Sequence, residues 1–598
     1  MKIRNISKEG ETMVKKAFRN ALLIQVVAGI VGVIGMVVDG AVTCSCLGTE
    51  AMAAFGLAAP AVTIFVACSG VCELGTSMLI GRLFGARKIK EASEALSACL
   101  AFALVFSLLI TGSVFVFANE IAAFLGAGGT LAVMTADYLR GFSLCAPALF
   151  LLTVLFPVMQ IEGRRKLVML AVITMTLVNI TGDLLVGFVF RGGLFGMALA
   201  TTVSYYAALA MILPGLLKKG NSLQLSFKHI NPACIGTMLS CGLPNALQQG
   251  CRSLLLLILN SRLLAIADAN AVAAFTVIMS AANLCMALGS GIGSDVSMLT
   301  GVFAGDGDER AIRELVRTAL FTAVLYDAIL CAVLFTGAGV LMPVFTTDPD
   351  LLPLAVTGFR LFCLSMIGYS VNVTLRLYYQ AMHFSLLSYI YVFCNSFLFT
   401  VLGTFLLSGI IGINGIWLSF LFGETVTLLF LTVLTLIRTP KGSSLIDRAM
   451  FIPLKLTEDI LNRFDGVARD RMTMTEVSEQ VRQFCLKNGA CGRTAYVLSL
   501  SAEEIGNYIL KNNTGKDERV EVRVLRKKDG WSINVRDNGR RFNPLSVLAD
   551  NRRFDPANIL AEETPDAFSY IGIKLICEMA RKTEYFDTLD INSLNIEI

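Results

Sequence analysis

Apolar residues dominate the chain up to about residue 437 and are grouped in long runs separated by short polar stretches. Each run has roughly 20 residues or more, which is enough for a helix to cross the ~30 Å hydrocarbon core of a membrane. The pattern predicts an all-α polytopic membrane region with twelve transmembrane helices, six in each half. The predicted spans are, approximately, 17–43, 51–80, 93–118, 136–160, 167–190, 194–217, 235–265, 271–303, 313–340, 354–380, 385–408 and 411–437.

The two halves of this apolar region repeat each other at an offset of 220 residues. Ser77–Gly81 recurs as Ser297–Gly301, and Ala51–Phe55 recurs as Ala271–Phe275. Repeated hydrophobic halves are typical of secondary transporters, which bind their substrates between the repeats. Because each half has an even number of spans, an axis roughly along the membrane normal should relate the two. The expected six-helix lobes are residues 1–220 and 221–440.

Composition and charge agree with this topology. Of 598 residues, 55% are hydrophobic and 16% are charged, which is too apolar for a soluble protein of this length. Lysine and arginine are concentrated at the N-terminus and in every second loop, and this predicts that both termini are cytoplasmic. The net charge of +5 reflects these loops and does not indicate nucleic-acid binding. Most of the 16 cysteines lie inside apolar runs, and Cys44 and Cys46 fit no metal site.

Ionisable side chains inside the predicted spans are the first candidates for function, because placing a charge in a bilayer costs on the order of 3 kcal/mol. Asp39 lies in the first span. Asp183 lies in the fifth, four residues after Asn179, so both side chains face the same way on a helix. At the offset of 220 the second lobe carries Leu259 and Gly403 and therefore neither acid. The other embedded ionisable residues are Glu73, Arg252, Asp295, Asp327, Arg376 and Glu424.

These other embedded residues have two interpretations. Side chains of this kind more often hold neighbouring helices together than contact a substrate. Arg376 is expected to form an intramembrane pair with an acid that the sequence does not identify. Glu73 is either a further acid of the functional site or a side chain that reaches out of the membrane.

Three segments of the membrane region resemble the multidrug and toxin extrusion (MATE) family. They are Gly75–Ala86, which closes the second span, Val178–Asp183 in the fifth, and Gly196–Ser204 in the sixth. The resemblance covers nearly all of residues 10–440 and implies a cation or proton site in the N-terminal lobe. The matching residues are Asp39, Asn179, Asp183 and Thr202. The coupling ion implied by the family is H+ or Na+.

Beyond residue 446 charged residues alternate with short apolar stretches, and no run could span a membrane. We expect a linker over 441–475 and a cytoplasmic domain over 476–598. Three signals occur there in order. A helical pattern leads to Asn507, two alternating strands end near Asp537 and Gly539, and an apolar helix follows around Gly572. Together they resemble the nucleotide-binding boxes of the GHKL fold, closest to anti-sigma-factor serine kinases, a small α/β sandwich.

The GHKL resemblance implies a role for each of five residues. Asn507 would hold Mg2+ bridged to the phosphates of ATP, and Glu503 would be the catalytic acid that activates the attacking hydroxyl or water. Asp537 would bind the adenine amino group, Gly539 would let the base approach, and Gly572 would lie near the phosphates. The alternative is a degenerate domain that serves as a protein-binding module. The chain has no Gly-x-x-x-x-Gly-Lys-Ser/Thr loop, which argues against transport driven by ATP hydrolysis.

The preferred hypothesis is an efflux antiporter of a bacterial-type inner membrane, with a small cationic or amphipathic substrate. Its two lobes alternate access around a central cavity, and its tail regulates flux or contacts a soluble regulatory protein. One alternative is a membrane sensor that controls a serine kinase acting on a regulator. Another is a flippase for lipid-linked precursors, which would share the same fold.

Overall fold

The computed structural model describes most of the membrane region and much of the C-terminal tail. The described residues are 13–25, 48–190, 192–216, 223–225, 231–267, 269–344, 349, 351–439, 445–451, 460–512, 519–539, 543, 545, 566–588 and 591–598. Two compact units are present, one formed by Phe18–Leu454 and the other by Met1–Ala17 together with Lys455–Ile598. Most of the first predicted span, with Asp39, Cys44 and Cys46, lies outside the described residues.

The membrane unit is built from helices. In chain order they are α1 (13–25), α2 (Gly48–Gly85), α3 (Ile89–Val116), α4 (Ala118–Phe124), α5 (Thr130–Ser143), α6 (Ala146–Ile161), α7 (Arg165–Leu184), α8 (Gly193–Leu216), α9 (Pro232–Ile266), α10 (Ala269–Gly305), α11 (Glu309–Leu341), α12 (Leu351–Cys363), α13 (Met366–Ala381), α14 (Ser385–Phe393), α15 (Phe399–Ile411), α16 (Ile413–Arg438) and α17 (Leu445–Ala449). Two π-helical turns, Leu185–Phe190 and Cys394–Leu398, continue α7 and α14, and a short 3-10 turn, Met342–Val344, follows α11.

Eight helices of the described chain are long and apolar enough to cross a membrane, and the number rises to eleven if each of three bent pairs is one span. These segments coincide with eleven of the twelve predicted runs, so the count of twelve stays a prediction that depends on the first. The internal repeat is visible in the bends. The pair α5–α6 is bent by 43°, and the pair α12–α13, at the offset of 220, is bent by 46°.

Glycines bring the two lobes into contact along α2 and α10. A Cβ atom added at Gly85 would lie 1.9 Å from the carbonyl oxygen of Val302, and one at Gly305 would lie 2.1 Å from that of Arg82. No residue with a side chain fits such a close approach without moving the helices apart. Just beyond, Arg87 Nη2 lies 3.3 Å from Asp306 Oδ1. The repeated glycine segments of the sequence are therefore the contact between the lobes at this end.

The second unit is a small α/β arrangement. Its elements are β1 (Ile460–Ala468), α18 (Arg471–Lys487), α19 (Gly492–Asn512), β2 (Val520–Lys527), β3 (Gly530–Asp537), α20 (Asp566–Met579), β4 (Lys582–Thr588) and β5 (Ile591–Glu597). The strands form one antiparallel sheet in the order β1-β2-β3-β5-β4. Apolar residues of the sheet and of all three helices share one core. The predicted helices and the two predicted strands are confirmed.

The boundary of this unit differs from the one expected. The interval 441–475 contains β1 and the first residues of α18, so most of it is folded structure and not a linker. Within the same interval, α17 packs against the membrane unit, where Asp447 lies 2.8 Å from Arg317 Nη2 and 3.4 Å from Arg313 Nε. The edge strand β1 was missed because its pattern of partly buried residues gives no strong alternation.

Candidate functional site

A buried polar cluster lies between α7 and α8 in the N-terminal lobe. The Asn179 amide donates from Nδ2 to Asp183 Oδ2 at 2.7 Å, as the spacing of four residues on one helix predicts. Asp183 is 1% exposed near the end of α7, a helix long and apolar enough to cross a membrane. From the neighbouring helix, Ser204 Oγ lies 3.4 Å from Asn179 Oδ1 and donates to the Thr201 carbonyl oxygen at 2.6 Å. The arrangement offers oxygen atoms and one carboxylate to an ion.

Of the four residues that the MATE resemblance selects, the structure brings together Asn179 and Asp183. Thr202 is buried nearby, but its hydroxyl donates to the carbonyl oxygen of Gly141 at 2.9 Å. Ser204 reaches the pair instead, and sequence reasoning missed it. The available signal was its position in the same α8 segment, two residues after Thr202. Asp39 lies outside the described residues.

A cavity of about 240 Å³ separates the lobes and carries two further acids, Glu73 of α2 and Asp295 of α10. Asp295 is 1% exposed and accepts a hydrogen bond from Gln25 Nε2 of α1 at 3.5 Å. Its second oxygen, Oδ2, has no hydrogen-bond partner among the described residues. Because Glu73 lines this cavity, its side chain faces the space between the lobes. Within the described part of the chain it makes no hydrogen bond to the Asn179–Asp183 pair.

The ion pair expected for Arg376 does not form within the described chain. The side chain is buried in α13, and neither Nε nor Nη1 has a hydrogen-bond partner there. Asp327 of α11 is likewise buried, with Oδ2 unpartnered among the described residues. Glu424 does find partners, since Asn372 and Asn395 donate to it. The signal for this cluster was the occurrence of amide side chains within apolar spans.

In the second unit, Glu503 and Asn507 lie one helical turn apart on α19. Two hydroxyls of α18 hold the Glu503 carboxylate, with Thr475 Oγ1 at 3.3 Å from Oε1 and Ser478 Oγ at 3.2 Å from Oε2. The Asn507 side-chain oxygen Oδ1 is buried and has no hydrogen-bond partner among the described residues. Leaving a buried oxygen atom without a partner is unfavourable. Asn507 Oδ1 is therefore suited to coordinate a metal ion that prefers oxygen ligands.

Asp537 ends β3 and is 4% exposed. Its Oδ1 atom accepts hydrogen bonds from the backbone nitrogen of Gly539 at 2.9 Å and from Asn592 Nδ2 at 2.8 Å. Gly572 lies in the first half of α20. The structure thus positions Asp537 rigidly at the strand end, and most of the segment between Gly539 and α20 lies outside the described residues.

Comparison with known proteins places the membrane unit in a family. The MatE family model matches residues 13–185 and 244–406, together more than half of the chain. A curated relative is Multidrug export protein MepA of Staphylococcus saprophyticus, 22% identical over 384 residues that cover 63% of this chain and 83% of that protein. A second is MepA of Staphylococcus aureus, 25% identical over 181 residues, or 30% of this chain and 40% of that protein.

Solved structures share the fold of this region. An outward-facing multidrug resistance MATE family transporter of the MOP superfamily aligns with a TM-score of 0.66 at 20% identity, covering 70% of this chain and 94% of that one. A MOP superfamily transporter from Pyrococcus furiosus aligns with the same score and identity over 71% and 97%. Given the extent of the family match and these folds, the chain belongs to the MATE family and is a multi-pass membrane transporter.

Proposed function

We propose that the chain exports small organic cations or amphipathic compounds in exchange for H+ or Na+. The lobes would alternate access to the cavity between them, in a bacterial inner membrane with both termini in the cytoplasm. The named relatives support export, since both are multidrug export proteins. The two acids on the cavity wall, Glu73 and Asp295, support a cationic substrate, because a cation that enters the cavity would stabilise their ionised form and pair with it.

One observation carries the coupling part of this proposal, namely the buried Asp183 carboxylate in a helix that is long and apolar enough to cross a membrane. A charge there is costly unless a counter-ion or proton visits it. Asn179 and Ser204 supply the oxygen and amide groups that would hold the ion, and Asp39 would complete the site from the first span. The ion drives transport only if it binds one arrangement of the lobes better than the other.

The test is transport of the fluorescent cation ethidium in proteoliposomes, with H+ and Na+ gradients imposed separately. The wild-type chain is expected to move ethidium only when one gradient is present. Asp183→Asn, which keeps a hydrogen-bonding group of the same shape, should reduce transport to that of empty vesicles. The matched control is Asp137→Asn on α5, where the carboxylate is 46% exposed and pairs with Arg140. Surface ion pairs contribute little, so this control should transport normally.

Normal gradient-driven transport by Asp183→Asn would contradict the coupling site. Movement of a labelled polyprenyl-linked lipid without movement of ethidium would favour a flippase. Ion binding to the purified chain without transport of either probe would favour a membrane sensor.

The second unit is proposed to bind Mg-ATP and to regulate transport or signal to a soluble protein. The residues present fit this group, because Asn507 Oδ1 is buried and unpartnered among the described residues and oxygen atoms are the preferred ligands of Mg2+. Asp537 and Gly539 would bind the adenine, Gly572 would lie near the phosphates, and Glu503 would supply the catalytic carboxylate. Bound Mg2+ would neutralise phosphate charge.

Nucleotide binding is tested by titrating the full-length protein with Mg-ATP in a calorimeter. Asn507→Ala should remove the Mg2+-dependent part of the affinity, as should chelation of Mg2+ in the wild type. Asn512→Ala is the control, since that amide donates to the Tyr508 carbonyl oxygen of its own helix. Absence of heat at millimolar Mg-ATP would favour the protein-binding module. If nucleotide turns over, Glu503→Gln should stop ADP formation and retain binding.

A further inference from the structure

A cavity of about 390 Å³ lies at one end of the C-terminal lobe, and it shares no lining residue with the cavity between the lobes. The turn after α13, the first turn of α14, the end of α16 and the segment after α17 enclose it. Its wall is mostly apolar, with Phe384, Leu386, Leu387, Leu434 and Phe451. Small-molecule sites are typically apolar cavities of ~300–1,000 Å³. The space is therefore large enough for a ligand with an apolar part.

The cavity lies where apolar helices of this lobe end. Arg438 is the last residue of α16, which is long and apolar enough to cross a membrane. Leu386 begins a second segment of this kind, Leu386–Ile411, and is 63% exposed. An arginine at the end of a transmembrane helix extends to the level of the lipid headgroups. The cavity is therefore at the boundary between the headgroups and the acyl chains of a membrane.

Several contacts hold the wall of the cavity in place. The Phe451 ring packs edge-on against the Phe384 ring, with 4.8 Å between the ring centroids. The Tyr378 hydroxyl donates to the Phe451 carbonyl oxygen at 3.4 Å, and Thr435 Oγ1 donates to the Ala449 carbonyl oxygen at 2.9 Å. The segment after α17 is thereby fixed against α13 and α16, and it bounds the cavity on one side.

The N-terminal lobe is built differently at the matching place. At the offset of 220, Phe384 matches Arg164 and Thr435 matches Gly215. The Arg164 guanidinium donates from Nη1 to the Gly215 carbonyl oxygen, so one side chain joins the two helix ends there. In the C-terminal lobe, Phe384 and Thr435 contact the segment around α17 instead, and the cavity lies beside them. The two halves of the repeat therefore differ in this feature.

The charge of the cavity favours an anionic ligand. Arg438 is exposed, and within the described part of the chain its guanidinium forms no hydrogen bond or ion pair. None of the described lining residues is acidic, so a cationic substrate would find no charged partner here. A phosphate group, in contrast, forms strong charge-assisted hydrogen bonds with a guanidinium. Basic pockets between transmembrane helices on the cytoplasmic side bind anionic lipid headgroups for this reason.

We propose that this cavity binds one anionic phospholipid. The phosphate of the lipid pairs with Arg438, and one acyl chain lies in the cavity against the leucines of its wall. In the proposed orientation the lipid comes from the cytoplasmic leaflet. The site does not require the ion proposed at Asp183, so its test is independent of transport.

The test is photo-cross-linking of the full-length protein in phosphatidylcholine nanodiscs. The discs contain a trace of phosphatidylglycerol that carries a diazirine near the end of one acyl chain. After illumination, peptide mass spectrometry is expected to find the label on Leu386, Leu387 or Leu434. Excess phosphatidylglycerol should displace the labelled lipid, and phosphatidylcholine with the same diazirine should label the cavity less.

Two pairs of variants separate the charge of the site from its space. Arg438→Gln should lower the yield of cross-linking roughly fivefold, because it removes one basic side chain near the headgroup. Its control is Lys166→Gln, an exposed cation that matches Leu386 at the offset of 220, and this variant should keep the yield. Leu434→Trp fills the cavity and retains Arg438, so it should also lower the yield. Its control is Leu429→Trp, at a 61% exposed position of the same helix.

Four results would overturn the proposal. The first is equal labelling of the cavity by the two lipids, and the second is an unchanged yield in either Arg438→Gln or Leu434→Trp. The third is displacement of the label by soluble glycerol 3-phosphate, because a free phosphate would then occupy the site. The fourth is a wild-type chain without label at the cavity, because another part of the protein would then cover it.

Discussion

Ser204 and Thr202 differ by two positions on α8, and this small difference determines which hydroxyl meets the candidate ion site. With 3.6 residues per turn, side chains two apart point to nearly opposite sides of a helix. Ser204 Oγ lies 3.4 Å from Asn179 Oδ1, whereas the Thr202 hydroxyl donates to the Gly141 carbonyl oxygen. The resemblance to the MATE family indicated the correct segment of α8, and the rotation of the helix against α7 selects the serine.

The two hydroxyls should therefore respond differently to removal. Ser204→Ala is expected to raise the ion concentration for half-maximal transport roughly fivefold, because the site loses one neutral hydroxyl oxygen, a contact that contributes about 1 kcal/mol. Thr202→Val, which removes a hydroxyl bonded elsewhere, should leave this concentration unchanged. Ion titrations of ethidium transport measure both. A larger effect of Thr202→Val than of Ser204→Ala would show that the threonine hydroxyl belongs to the ion site.

The helices α2 and α10 show how a repeated sequence becomes an interface. Each copy places a glycine at its last turn, and each glycine lies against a carbonyl oxygen of the other helix. Small residues allow helix backbones to approach closely in membranes. According to the charge pattern, this end of both helices faces the cytoplasm. With the proposed orientation, the contact would close the transport path on the cytoplasmic side and would open in each cycle.

An alanine in this interface should favour separation of the lobes. In Gly85→Ala the new Cβ would lie 1.9 Å from the Val302 carbonyl oxygen, so the closed contact is no longer accessible. Cysteines introduced at Arg87 and Asp306, whose side chains are 3.3 Å apart, report closure through cross-linking by a short bismaleimide and peptide mass spectrometry. The yield should fall in Gly85→Ala and stay unchanged in Gly112→Ala, a position with nothing within 4 Å. Equal cross-linking yields in the two variants would contradict a role of the Gly85 contact in closing the lobes.

The chain as a whole folds around separate cores. Trp417 belongs to a core of the C-terminal lobe, while Trp531 packs beside the core of the α/β unit, against Phe484. The chain has two tryptophans, so each unit carries one fluorescent reporter. Residues within a unit share contacts that unfold together, and we expect the α/β unit to unfold as its own transition.

An ion pair in the sheet should make that transition pH-dependent. Burial would raise the pKa of Asp465, but Arg523 and Arg463 more than offset this and hold the pKa below its usual value. The stabilisation is therefore complete above the unfolded-state pKa of about 4, and it is lost as the pH falls through the lower folded-state pKa. At neutral pH, Asp465→Asn should lower the free energy of unfolding by about 1.5–3 kcal/mol. Below pH 3 this difference should shrink.

Urea unfolding of the full chain with Trp417→Phe, followed by Trp531 fluorescence between pH 2 and 7, measures the effect. The control is Glu479→Gln, since Glu479 and Arg482 form an exposed pair on α18 and should contribute no measurable stability. A difference between Asp465→Asn and wild type that stays constant over this range would contradict the assignment.

The amino-acid sequence was sufficient to predict eleven of the twelve apolar spans, the repeat at 220 residues, and the helices and two of the five described strands of the tail. The length of an apolar run and its periodicity are local properties of the sequence. They indicate a helix or a strand without any knowledge of what that element packs against. The Asn179–Asp183 pair was predictable for the same reason, since both residues lie on one helix turn. The partly buried strand β1 lacked such a pattern. Its residues were therefore assigned to the expected linker.

Contacts between helices depend on packing and rotation, which no local pattern encodes. Ser204 meets Asn179 across two helices, and Glu424 gathers Asn372 and Asn395 from segments 52 and 29 residues away. The close approach at Gly85 and Gly305 also requires both lobes in place. These sites arise because a buried polar group must find a partner in three dimensions, and the folded arrangement of the helices supplies it.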